Sequence, residues 1–149
     1  MKLSAVQPTA SSTCPRRATT LHRLPRVCIS MHSNGFAHRD LSLENVLVTD
    51  DNTCKVCDFG LAAVADQPSN ETVGKMFYMA PEVLSGSSYD PKKADVWSLG
   101  VMLFIMLFGA PPVESAAPTD ARFKIISTKG IRHPHWSMGP HGQRPRRSY

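Results

Sequence analysis

The chain has 149 residues, 42% of them hydrophobic and 19% charged, enough for one ordinary domain and too few for two. Its net charge of +5 would ordinarily point to nucleic acid or an anionic membrane. However, nine of the 17 Lys and Arg lie in 1–30 and 131–149, which hold no acid, leaving eight against all 12 acids in 31–130. The middle of the chain is therefore mildly acidic, and neither nucleic acid nor a membrane is expected as a partner.

Residues 1–26 are rich in Arg, Ser and Thr and punctuated by Pro8, Pro15 and Pro25. That composition is like a transit peptide, but the prolines interrupt the amphipathic helix such a peptide needs. The stretch is predicted as a disordered basic tail, with the cytoplasm as the default compartment. Ordered structure is predicted over 27–130, and a second disordered basic tail over 131–149, where Pro134, Gly139, Pro140, Gly142 and Pro145 interrupt the chain.

Within the middle zone, 27–32 reads as the last turns of a helix, ended by Asn34-Gly35 with Gly35 taking positive φ. Two short β-prone runs, 45–48 and 53–57, flank the turn cluster Asp50-Asp51-Asn52 and predict a hairpin. Cys54 and Cys57 form a C-x-x-C. On a strand, an offset of three puts them on opposite faces, and no second ligand pair follows, so a zinc or redox site is not expected. Residues 62–75 read as a loop. Pro81 is placed to open a short helix through Leu84. Residues 89–93 read as a turn, and Asp95 as the N-cap of a helix over 96–108. That helix is apolar almost all round, which predicts burial on every side as the central post of the domain. Its longest apolar run, 101–108, is far below the ~18 residues of a membrane span. The fold class expected is mainly α with a small β-hairpin.

His38-Arg39-Asp40-Leu41, with Asn45 five residues past Asp40, precedes the hairpin. Asp58-Phe59-Gly60 follows it, and Ala80-Pro81-Glu82 opens the short helix. A hairpin flanked by two loops brings Asp40, Asn45 and Asp58 to the same end of one small scaffold. Such oxygen donors suit magnesium, a hard cation. These motifs, with D-V-W-S-L-G at 95–100, resemble the protein kinase family, over roughly 27–130. The resemblance implies the C-terminal lobe of that fold and phosphoryl transfer from ATP, with magnesium, to a protein substrate.

By the family's pattern, Asp40 orients the substrate hydroxyl and accepts its proton, while Asn45 and Asp58 hold magnesium on the ATP phosphates. Leu47 would lie under the adenine and Cys57 would border that pocket. His38 and Phe59, with Gly60 next in the motif, would stack where the lobes meet. Asp95 would tie the catalytic loop to the central helix. Glu44-Asn45 is similar to the Ser/Thr form D-L-K-P-E-N, and 94–112 resembles the calmodulin-dependent kinase group, with Val113 where that group has Phe.

The chain also departs from the pattern. Ser42 replaces the lysine two residues after the catalytic Asp, and Lys75 replaces the Thr or Ser after Gly74. The charged and hydroxyl partners are exchanged, which reads either as Lys75 supplying the missing charge from the opposite side or as drift of both positions in an inactive copy. Glu71 falls where Arg39 would receive a phosphorylated residue, with Thr72 as the neighbouring alternative. The arginine partner of Glu82 is not matched by Arg132, Arg144, Arg146 or Arg147. No G-x-G-x-x-G and no V-A-I-K lysine occurs. The expectation is therefore a truncated kinase domain, weak or inactive alone. The alternatives are a non-catalytic fragment binding a partner through the exposed lobe surface, or a shortened gene product.

Overall fold

The computed structural model describes residues 4–5 and 15–130. Helix α1 spans Pro15–Ser33. Leu24, Val27, Cys28 and Met31 recur at helical spacing, and Leu24 and Cys28 are buried in the core. That stripe outweighs Pro25, which lies inside the helix and forfeits one backbone hydrogen bond. The expected boundary at residue 27 therefore falls within a helix, and residues 15–26 of the expected tail are helical. The helix ends where Gly35 takes φ 83° and donates its N–H to the His32 carbonyl at 3.0 Å.

Strand β1 (Ser4–Ala5) was not anticipated. It pairs antiparallel with β3 (Val46–Val48), which in turn pairs with β4 (Cys54–Val56), in the order β1-β3-β4. The hairpin register sets Val46 opposite Val56 and Val48 opposite Cys54. Its turn is closed by Asp51, whose carboxylate accepts from the Thr49 and Thr53 hydroxyls, an Asx-type arrangement. A second ladder joins β2 (Phe36–Ala37) to β5 (Ala63–Val64), which lies in the stretch expected to be a loop. The rest of the expected tails, at 1–3, 6–14 and 131–149, lies outside the described residues.

Helix α2 is Pro81–Leu84 and helix α3 is Pro91–Phe108. The N-cap of α3 is Asp90, which accepts from the Lys92 N–H at 2.9 Å. Asp95 is not the cap, and residues 91–93 are the helix's first turn. Asp95 lies one turn inside, 1% exposed, where long-range donors claim it. Val101, Met102, Ile105 and Met106 pack with Leu24, Cys28, Leu41, Leu43 and Val46 into one core. Burial on every side of α3 does not hold: Val96 and Leu107 are each 59% exposed and Phe108 44%. Helix α4, Ala121–Lys129, is capped by Asp120 and touches α3 through the Phe123 ring, edge-on to Trp97 at 6.1 Å. No described helix is long and apolar enough to cross a membrane.

Burial first, then the charge of Asp95, pushes the Cys28 thiol from 9.0 up to about 12. A thiol whose pKa is higher in the folded state favours the folded, protonated chain. That contribution is full below about pH 9 and is lost as pH rises towards 12. Iodoacetamide at pH 8 is therefore expected to leave Cys28 unmodified in the folded chain and to alkylate it in urea, read by peptide mass spectrometry.

Candidate active site

The loop 38–45 is held from below by Asp95. The Asp95 carboxylate accepts the His38 N–H at 2.7 Å, the Arg39 N–H at 2.8 Å and a contact from His32 Nε2 at 2.9 Å. These bonds hold Arg39 at φ 64°, a left-handed conformation that a side-chain-bearing residue keeps only when its surroundings fix it. His38 is fully buried. Its Nδ1 accepts the Asp40 N–H at 3.3 Å, so its Nε2 carries the proton and donates to the Cys57 carbonyl at 3.0 Å.

Asp40 lies at the outer end of this loop, its side chain 13% exposed. Asn45, on a 3-10 turn over Leu43–Asn45, donates from Nδ2 to the Asp40 carbonyl at 2.9 Å and to Asp40 Oδ2 at 3.1 Å. The Lys75 N–H donates to Asp40 Oδ1 at 3.2 Å. The Asn45 carbonyl accepts from the Cys57 N–H at 2.9 Å and from Cys57 Sγ at 3.4 Å. This closes the base of the hairpin and sets Asp58 one residue beyond the junction with Asn45. Asp58, Phe59 and Gly60 are exposed, and Asp58 is at φ 63°. Phe59 sits 4.9 Å from the His38 ring. Leu47 is half-buried, its main chain opposite Ala5 on one side and Lys55 on the other.

The segment after Gly60 returns to the same loop. Gly74 is at φ 106°, and a Cβ there would stand 2.7 Å from the Arg39 carbonyl oxygen, so only glycine lets the two strands of chain approach this closely. Lys75 follows. Its Nζ donates to Ser42 Oγ at 2.9 Å and to Glu44 Oε2 at 3.3 Å, and lies 3.9 Å from Asp40 Oδ2. Burial disfavours the Glu44 carboxylate, but hydrogen bonds from Ser42, its own backbone and Lys75 outweigh this and hold its pKa below the usual range.

Arg39 points away from Asp40. It donates to the Leu61 carbonyl at 2.7 Å and Ser69 Oγ at 3.0 Å, and it pairs with Glu71. Burial opposes its charge, yet Glu71 and then Tyr89 hold the guanidinium pKa above its ordinary value. Thr72 is engaged elsewhere, donating to the Val83 carbonyl at 3.2 Å. Glu82 lies half-buried in the first turn of α2; the four C-terminal arginines fall outside the described residues.

Asp40, Ser42, Asn45 and Lys75 thus converge directly, and Asp58 lies at the hairpin junction. Sequence reasoning missed His32 as a partner of Asp95 and Glu44 as a partner of Lys75. The His32 contact spans 63 residues and has no local signature. The Glu44 contact follows once Lys75 is placed over the loop. Among the described residues, no three His, Cys, Asp or Glu side chains are grouped to hold a metal ion.

Comparison with known proteins gives these features a family. A model described as a protein kinase domain matches residues 16–142. CBL-interacting protein kinase 29 of Oryza sativa subsp. japonica is 44% identical over 106 residues, covering 70% of this chain and 24% of that protein. Serine/threonine-protein kinase kin-29 of Caenorhabditis briggsae is 40% identical over 108 residues, covering 71% and 13%. CBL-interacting serine/threonine-protein kinase 13 of Arabidopsis thaliana is 46% identical over 103 residues, covering 66% and 20%. The chain spans about a quarter or less of the length of these relatives.

Proposed function

The chain belongs to the protein kinase family, and on that premise we propose that residues 27–130 are the C-terminal lobe of a Ser/Thr-type domain that transfers the γ-phosphoryl group of ATP to a protein hydroxyl. The supporting observation is the Asp40 carboxylate, fixed on one oxygen by Asn45 Nδ2 and on the other by the Lys75 N–H. A carboxylate aimed in this way can orient a hydroxyl and take its proton.

The donor set fits magnesium. Asn45 spends its Nδ2 on Asp40, which leaves its Oδ1 as a hard oxygen donor, and Asp58 offers an exposed carboxylate. One or two such oxygens, completed by water and phosphate, are what magnesium takes from a protein. Bound magnesium would neutralise charge on the ATP phosphates. Leu47 and Cys57 lie on the hairpin near these donors and would line the nucleotide's place, with the His38 and Phe59 rings in tilted contact at 4.9 Å rather than stacked.

The Arg39–Glu71 pair supports a second element of the reading. Glu71 stands in for a phosphorylated residue and docks the segment around Lys75 without modification. Phosphatase treatment should leave transfer unchanged; loss of transfer on dephosphorylation would shift the role to Thr72.

Transfer by these 149 residues is proposed to be slow and nucleotide affinity low, since the sequence holds no glycine-rich loop and no strand lysine of the V-A-I-K type. A millimolar Kd would still stabilise the folded chain by roughly 1.4 kcal/mol at about 10 mM Mg-ATP. The expected result is a rise in melting temperature with Mg-ATP that Asp58→Ala abolishes. A much larger rise would contradict the low affinity, and an equal rise in the variant would contradict the site.

A further inference from the structure

We propose that Lys75, carried by the segment after the D-F-G turn, is the catalytic cation that meets the transferred phosphoryl group, with Ser42 as the seat that aims it. This rests on the phosphoryl-transfer reading above. The catalytic loop offers no cation of its own at Asp40. Within 38–45 the basic groups are His38, buried against the Cys57 carbonyl, and Arg39, turned to Leu61, Ser69 and Glu71. Among the described residues, Lys75 is the cation within 4 Å of the Asp40 carboxylate, at 3.9 Å.

Its position is built rather than incidental. Gly74 presses the segment onto the Arg39 carbonyl, the Lys75 N–H binds Asp40 Oδ1, and the ammonium folds back to Ser42, whose side chain is fully buried. A surface lysine paired only with the mostly exposed Glu44 would gain little from such a posture. Next to Asp40, the same ammonium lies where charge develops in phosphoryl transfer.

The substrate hydroxyl oxygen bonds to the γ-phosphorus and the bond from that phosphorus to the β-bridging oxygen breaks. ADP leaves with the electron pair, and the hydroxyl proton passes to Asp40. Lys75 stabilises the phosphoryl oxygens through this step. Because this charge rides on the 58–82 segment, it reaches the phosphate only when that segment is docked, which couples the Arg39–Glu71 pair to the chemistry itself.

The test compares the wild type, Lys75→Thr and the exchanged pair Ser42→Lys/Lys75→Thr, and follows reductive methylation of Lys75 with and without Mg-ATP. Lys75→Thr is expected to lower kcat about 100-fold with little change in the peptide KM. The exchanged pair should recover most of that loss, and Mg-ATP should slow methylation of Lys75 in the wild type. With an active wild type, an unchanged kcat in Lys75→Thr, no recovery in the exchanged pair, or methylation indifferent to Mg-ATP overturns the inference and leaves the kinase reading standing. An inactive wild type beside an active exchanged pair also overturns it, making the exchange a lesion. Inactivity of both overturns the kinase reading of this chain and the inference with it.

Discussion

Replacing Asp95 with alanine is expected to cost the fold roughly 3–5 kcal/mol, a large share of the ~5–15 kcal/mol that stabilises an ordinary domain. The carboxylate is buried and accepts the His38 and Arg39 N–H groups at 2.7 and 2.8 Å. Alanine would leave both donors without a partner in the interior, where each orphan costs about 1–3 kcal/mol. It would also release Arg39 from its left-handed conformation, and with it the loop that carries Asp40. Urea unfolding followed by circular dichroism measures the loss. A change below about 1 kcal/mol would show that other contacts hold the loop, since that is no more than a typical hydrogen bond contributes.

Asp40→Asn is expected to leave the fold intact and to reduce phosphoryl transfer by about 100- to 10,000-fold, the range of a single positioned acid–base group. Asparagine keeps the shape of the side chain and one acceptor oxygen, so it can accept from Asn45 Nδ2 or from the Lys75 N–H but not from both. It cannot take the hydroxyl proton. Matching melting temperatures alongside the activity loss would separate this role from a structural one.

How far the sequence foretold this arrangement varied by element. The hairpin was legible because β-branched residues flank an Asp/Asn turn, a short-range signal. The proximity of Asp40 and Asn45 to the hairpin junction that precedes Asp58 was legible because all three lie within one stretch around that hairpin. Helix α1 was underestimated because Pro25 and the Arg-rich composition masked the stripe Leu24, Val27, Cys28 and Met31. The start of α3 was misplaced because two aspartates five residues apart, Asp90 and Asp95, both suit a cap. The resemblance already implied that Asp95 ties down the loop at 38–45, as its bonds to the His38 and Arg39 N–H groups do, and only the fold adds His32, 63 residues away. Strands β1, β2 and β5 span two residues each, too short for any periodicity. An exposed lobe surface was expected, but apolar residues all round a helix do not say that Val96, Leu107 and Phe108 would face outward.

The seating of Lys75 against Ser42 gives geometry to an exchange that was visible in the sequence only as two substitutions. The two side chains are in contact, and Gly74 brings the segment close against the Arg39 carbonyl.

The measurement that bears most directly on the central claim is label transfer from Mg-[γ-³²P]ATP to a serine-containing peptide by the wild-type chain and by Asp40→Asn, run side by side. The wild type is expected to label the serine hydroxyl slowly, and the variant to lose nearly all of that labelling. Equal labelling by both, or none by the wild type, would contradict the claim.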